Sequence, residues 1–252
     1  MAAEGPSTAV AEAGVEGAPA GGTAGGAAGG AAGGAAGGAA GGAAEAGVIF
    51  VLEKASLEVA KVGKTYVLLN CDDHASFLRK HGKDPALYRP DICHQALLAI
   101  LDSPLNKAGR LKALYVATTR NTLIQVNPHI RIPRTFRRFC GLMVQLLQKL
   151  SIRATNGPDK LLKVIKHPVT KYLPPGCRRI GLEYSAQKVV HLRQFLKTTN
   201  SETLVFVVGA MASGDISSDY VDEMIAVSEY PLSAATCLSR LCTTLELKWG
   251  IL

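Results

Sequence analysis

Several signatures that would settle the chemistry of this chain at sight are missing. The glycines at 209 and 214 are followed by Asp215 and Ile216 rather than by Lys and Ser or Thr, and the surrounding stretch holds no G-x-G-x-x-G. Neither a P-loop nor a dinucleotide-binding fingerprint is therefore present. The six cysteines (Cys71, Cys93, Cys140, Cys177, Cys237, Cys242) form no C-x-x-C pair and mostly fall in apolar patterns, where a thiol packs as a small hydrophobe. That usage points to a reducing compartment. The six histidines are scattered with no pair at ligand spacing beside suitable partners, so no metal site is expected.

Basic residues are absent from the first 47 positions, where Gly21 to Ala44 is a glycine/alanine tract of period four with a single Thr. Such a tract buries too little apolar surface to offset chain entropy, and its glycines oppose a helix, so residues 1–47 are expected to be a disordered tail. Without a basic start or a Leu/Ile/Val/Phe core, the tail reads as neither signal peptide nor membrane span. No membrane partner is expected.

Acidic residues are absent between Asp102 and Asp159, while ten Lys and Arg fall there. The formal charge of +8 includes four tail acids (Glu4, Glu12, Glu16, Glu45), so residues 48–252 carry +12. A solvated face normally mixes signs; a long segment of one sign on a basic body fits a polyanionic partner such as nucleic acid better.

What is present alternates strand and helix. Val48 to Leu52 reads as a first strand, and the mixed stretch after it is left unassigned. Arg89-Pro90-Asp91 opens an apolar helix over Ile92 to Leu101, with its aspartate favoured by the helix dipole. Leu111 to Ala117 and Thr122 to Val126 read as a hairpin. Pro133 is expected to start a helix whose apolar stripe includes Phe136, Phe139, Met143 and Leu147, while Arg134, Arg137 and Arg138 crowd its first turns against the dipole. Lys160, Lys163 and Lys166 recur at three-residue spacing in a basic piece, either facing phosphates or merely solvated. Ile180 to Tyr184 reads as a strand and Val189 to Leu196 as a helix.

The stretch from 203 to 249 carries most information. Leu204 to Val208 is a continuous apolar run, the mark of a strand covered on both faces in a parallel sheet. Gly209 and Gly214 frame the turn beyond it, where open α/β sheets bind ligands; a tight β-α turn without a ligand is the plainer reading. Pro231 fits a helix start, and Leu232, Ala235, Leu238, Leu241, Leu245 and Trp249 form one apolar stripe.

With RPDICHQALLAILDSPLNKAG at 89–109, VNPHIRIPRTFRRFCGLMVQLL at 126–147 and KLLKVIKHPV at 160–169, the motifs VFVVGAMASG and SEYPLSAA resemble the SPOUT, or α/β-knot, methyltransferases. Over about residues 48–252 the chain is identified as a member of their eukaryotic ribosome-biogenesis branch, which methylates N1 of a pseudouridine in small-subunit ribosomal RNA. The resemblance implies one SPOUT domain over 48–252. It would be a three-layer α/β domain with a C-terminal trefoil knot, a hairpin-plus-helix insertion at about 110–170, and a homodimeric state.

S-adenosyl-L-methionine is the implied cofactor, held near Leu182, Gly209, Gly214 and the run Ser228, Glu229, Tyr230, Pro231, Leu232, Ser233. The family has a small polar residue where Leu182 stands, which leaves only a backbone contact for that position. Arg89, Arg131, Arg134 and Arg138 match the family's RNA-contacting arginines, with Asp91 orienting Arg89; Asp91 or Asp102 is the candidate acceptor of the N1 proton. The resemblance further implies a nuclear, nucleolar protein working with small-subunit rRNA and pre-ribosomal assembly factors. A non-catalytic RNA-binding assembly factor is the alternative.

Overall fold

The computed structural model describes residues 46–155, 157–199, 203–216 and 219–252. The expectation of a disordered tail falls almost wholly on residues outside these. Of that expected tail, Ala46 and Gly47 are described and are held in place: the Arg110 guanidinium donates to the Ala46 carbonyl at 3.0 Å, and the Leu204 amide donates to the Gly47 carbonyl at 3.1 Å.

Among the described residues ten strands and six α-helices follow one another. The first half runs β1 (Val48–Ala55), β2 (Val59–Val62), β3 (Thr65–Leu68), α1 (Cys71–Lys80), α2 (Pro90–Leu101), α3 (Pro104–Lys107), β4 (Leu111–Thr118) and β5 (Leu123–Val126). The second runs α4 (Phe136–Lys149), β6 (Ser151–Arg153), β7 (Lys160–Ile165), β8 (Arg178–Leu182), α5 (Leu192–Lys197), β9 (Leu204–Gly209), β10 (Glu223–Ile225) and α6 (Ala234–Trp249). Eight strands form one sheet in the order β10-β8-β9-β1-β4-β5-β7-β6, and β2 and β3 make a separate hairpin. The five strands from β10 to β4 are parallel, and the last three are antiparallel. β4, which opens the stretch of about 110–170, pairs parallel with β1, while β5 to β7 pair antiparallel.

The apolar run of β9 lies between β1 and β8 and is buried on both faces, as its lack of alternation required. Leu204, Phe206 and Val208 join Val48, Phe50 and Leu52 in the larger core, where the paired Phe50 and Phe206 rings lie 6.2 Å apart. Buried residues of α2, α4, α5 and α6 fill that same core. Val205 and Val207 face the other way, with Ile49, Val51 and Tyr115. There the third layer consists of irregular segments carrying Val169, Leu173, Ile216 and Tyr220 rather than of α-helices.

Caps and extended residues decide several boundaries that periodicity had set elsewhere. Ser233 Oγ accepts from the Thr236 amide at 3.2 Å, so α6 starts at Ala234 and Pro231 lies ahead of it. Thr135 is extended, so α4 starts at Phe136 and Arg134 falls outside the helix; only Arg137 and Arg138 oppose its dipole. Residues 189–191 are extended, with Val189 bridging Ala226, which shortens the expected helix to α5. The lysine-spaced piece is strand β7, and the unassigned stretch completes β1, forms the β2-β3 hairpin and opens α1 under an Asn70 cap.

In α6, Leu238, Leu241 and Leu245 are fully buried against the core, as the stripe required. Leu238→Ala should therefore cost about 2–5 kcal/mol in denaturant unfolding followed by circular dichroism. A loss below about 1 kcal/mol would show that α6 does not seal this core.

Candidate functional site

The parallel strands deliver their carboxyl ends to one side of the sheet, and a cleft of roughly 550 Å3 opens there. Its walls come from three loops and one helix start. Leu182 to Ser185 follow β8, Val208 to Ile216 follow β9, and Val227 to Ser233 follow β10, while the first turns of α6 close the floor with Ala234, Ala235 and Cys237. Arg89, Ile92 and Gln95 line it from the amino end of α2.

The β9 loop is tied down from below. A register break at the end of β1 leaves Lys54 with φ +55° and turns two side chains toward this loop. Glu53 accepts a 2.5 Å hydrogen bond from the Tyr220 hydroxyl, and its backbone carbonyl accepts from the Ala210 amide at 2.7 Å. Burial, and then the Glu53 carboxylate, raise the Tyr220 phenol well above its ordinary range, so this donor stays protonated. The Lys54 ammonium donates to the Asp215 carbonyl.

The two glycines framing that loop serve different ends. A Cβ at Gly209 would meet Met211 Cε at 2.8 Å and Ile216 Cγ2 at 3.3 Å, so a side chain there would have to displace the flexible end of Met211. Gly214 has open surroundings but φ +102°, which L-residues rarely adopt. The Ser228 hydroxyl accepts from the Tyr230 amide at 3.0 Å, shaping the third loop.

The structure gathers Leu182, Gly209, Gly214, Ser228, Tyr230, Leu232 and Ser233 around the cleft, together with Arg89. Glu229 and Pro231 belong to the same run but are exposed and do not line it. Composition gave no hint of Glu183 and Asp215, which also line the cleft: nothing in their sequence neighbourhood marks them, and only the meeting of two loops places them together. Glu183 Oε1 is buried without a hydrogen-bond partner. Burial, and then the Asp215 carboxylate, push the Glu183 carboxyl above its ordinary range.

The Arg89 fork grips Asp91 with Nε to Oδ1 at 2.8 Å and Nη2 to Oδ2 at 2.7 Å. This bidentate bond holds the Asp91 carboxyl below the usual carboxylate range. Asp91 is therefore committed to Arg89 and a weak proton acceptor. Asp102 caps the far end of α2, twelve residues long and so about 18 Å away, and pairs with Arg134 at 3.1 Å outside the cleft. Arg131, Arg134 and Arg138 are exposed and lie outside the cleft as well. Among the described residues no three His, Cys, Asp or Glu side chains group to hold a metal ion, and no helix is long and apolar enough to cross a membrane.

Loops from three parallel strands that converge on a glycine-framed cleft, with a terminal helix packed behind them, define an α/β fold of the SPOUT type. The same fold occurs in the crystal structure of Archaeoglobus fulgidus Nep1 bound to S-adenosylhomocysteine, at TM-score 0.61 and 22% identity over 81% of this chain and 99% of that one. The EMG1/NEP1 methyltransferase family model matches residues 50–246, and the chain belongs to that family. It is 55% identical to the ribosomal RNA small subunit methyltransferases NEP1 of Mus musculus and Homo sapiens, over 81% of this chain and 83% of each relative. It is also 53% identical to mra1 of Schizosaccharomyces pombe, over 81% of this chain and 58% of that protein.

Gly214→Ala should weaken binding of S-adenosylhomocysteine in calorimetry by about tenfold or more, because the strained loop must shift. The thermal midpoint should fall by only a few degrees, the cost of a side chain at positive φ where nothing else packs. Unchanged affinity would remove the β9 loop from the ligand site.

Proposed function

We propose that this protein transfers a methyl group from S-adenosyl-L-methionine to N1 of a pseudouridine in small-subunit ribosomal RNA. The observation carrying the reading is the cleft itself: one cavity receives the three loops and, at its edge, a guanidinium preset by Asp91. The high identity to proteins named as small-subunit rRNA methyltransferases supports the substrate class.

The lining suits such a cofactor. Leu182, Val208, Ile216 and Leu232 offer apolar walls to an adenine, and backbone groups near Gly209 and along 228–233 can clasp an adenosine. Glu183 and Asp215, side by side in the lining, offer acceptor oxygens to a cationic ligand, whose charge would draw the Glu183 carboxyl back toward its ionised form. When bound, the cofactor supplies a methyl made electrophilic by its sulfonium. The chain's own contribution is then mostly positional: it must hold N1 in line with the methyl and exclude water. Extruding the target base from its stack is the other cost, and cations that grip the flanking phosphates offset it. Arg89 sits at the cleft for that purpose, fixed by Asp91; Arg131, Arg134 and Arg138 extend the grip outward. Because Asp91 is held as an ionised partner of Arg89, its part in this reading is to orient that arginine.

In the same reading residues 48–252 form the catalytic domain, with the segment of about 110–170 contributing to RNA binding. The protein acts as a homodimer in the nucleolus, beside other pre-ribosomal assembly factors.

Incubation with labelled cofactor and a pseudouridine-containing stem-loop, followed by mass analysis of the RNA, tests the proposal. Label on N1 is the expected result. Cofactor binding with no transfer to any such RNA would instead favour an assembly factor. Arg134→Ala with Arg138→Ala should reduce RNA affinity and lower the slope of log affinity against log salt by about one to two, at 0.7–0.9 ion per phosphate. Stability should hardly change, because the Arg134–Asp102 pair is largely exposed and such pairs contribute little. Asp91→Asn should weaken RNA binding while leaving cofactor affinity intact; the reverse pattern would place Asp91 at the cofactor.

A further inference from the structure

The cleft leaves unused a second hollow, of roughly 370 Å3, at the opposite end of the sheet. It lies by the amino end of β4 and the carboxyl end of β5, so the length of the sheet separates it from the cleft. Lys112, Lys160 and Lys163 line it with His129, and no carboxylate does. Among the described residues none of these three lysines forms an ion pair. Gathering like charges without a counter-charge costs energy that an anionic ligand would remove.

The hollow is built rather than incidental. A register break between β1 and β4 sets Lys112 out of the ladder, and its stem lies over Gly47, where a Cβ would meet Lys112 Cε and Cγ at 2.5 Å. Lys163 pairs directly with Gln125 across β5 and β7, which puts both on one sheet face. Asn106 Nδ2 donates to the Leu101 carbonyl at 3.0 Å and to the Pro128 carbonyl at 2.9 Å, locking two loops together as one wall. Asn127 Oδ1 accepts from the His129 amide at 2.9 Å.

The wall continues toward the cleft. From His129 the chain passes Arg131, and the Pro133 carbonyl lies 2.7 Å from His94 Nε2 on α2. Arg134 then reaches Asp102 at the lower end of that helix, while Arg89 lines the cleft at its upper end. Basic groups therefore stand at both ends of α2, the end beside each cavity.

We infer that the lysine hollow binds the phosphate backbone of the same RNA, at nucleotides distant from the base held in the cleft. The inference rests on the RNA methyltransferase reading above. Helix α2 alone spans about 18 Å, and a nucleic-acid strand advances about 3.4 Å per phosphate along its axis. The contacted phosphates thus lie on the order of six nucleotides or more from the target.

Two RNAs distinguish this contact from the rest of the interface: a minimal stem-loop carrying the target base, and the same stem lengthened by about ten base pairs. Wild-type protein should bind the longer RNA more tightly and with a steeper salt slope. Lys112→Ala with Lys163→Ala should erase that gain, lowering the slope on the longer RNA by about one to two, while the minimal stem-loop binds as before. Lys112→Arg with Lys163→Arg should keep the gain. Unchanged calorimetric affinity for S-adenosylhomocysteine certifies the fold, and Lys163→Gln alone gives a milder variant showing about half the effect should the double alanine fail to fold. Equal losses on both RNAs, or an unaltered slope on the longer one, would overturn the inference; the second result would turn the hollow over to a different anion, such as an acidic protein segment. If wild-type protein binds neither RNA, the RNA reading itself falls and this one with it.

Discussion

The burial of β9 on both faces is the constraint from which the rest follows. A strand with no solvated side must be flanked by pairing strands and covered twice, and here β1 and β8 pair with it while helices and irregular segments cover it. Parallel pairing then sends three chain ends to the same side of the sheet. The ligand cleft is the space those ends cannot fill, and its loops need glycine where they turn and anchors such as Glu53 and Tyr220 where they rest on the sheet.

Long apolar runs and motif order made the parallel core and the loops of the cleft legible in the sequence. The strand at 204–208, the α2 and α6 stripes and the turn at 209–214 all lie where periodicity and glycine placed them. Boundaries were less legible, because one capping bond or one extended residue decides them. Ser233 and Thr135 cut their helices at points an apolar pattern cannot mark. The basic piece at 160–165 was ambiguous for another reason: its lysines repeat every third residue, a spacing that neither ladder nor helix claims until β5 and β6 pair with it.

The candidate site divided in the same way. Residues drawn from one run, such as Ser228 to Ser233, were found by reading along the chain, although Glu229 and Pro231 turn away from the cavity. Contacts made across the chain were not. Glu183 meets Asp215, and Asp102 meets Arg134, only after folding. Asp91 and Asp102 looked equivalent as proton acceptors in sequence; one helix, with an arginine waiting at each end, separates them.

Both borders of the main sheet, β10 and β6, are three residues long, and the pairing of β6 with β7 is broken by a register shift beside Arg153. A border so short and so irregular offers few free amides in a row, and a charged side chain stands at its end. Another extended chain would find no template there. A protein whose basic surface draws it to crowded polyanions can thus accumulate beside copies of itself without its sheets joining edge to edge.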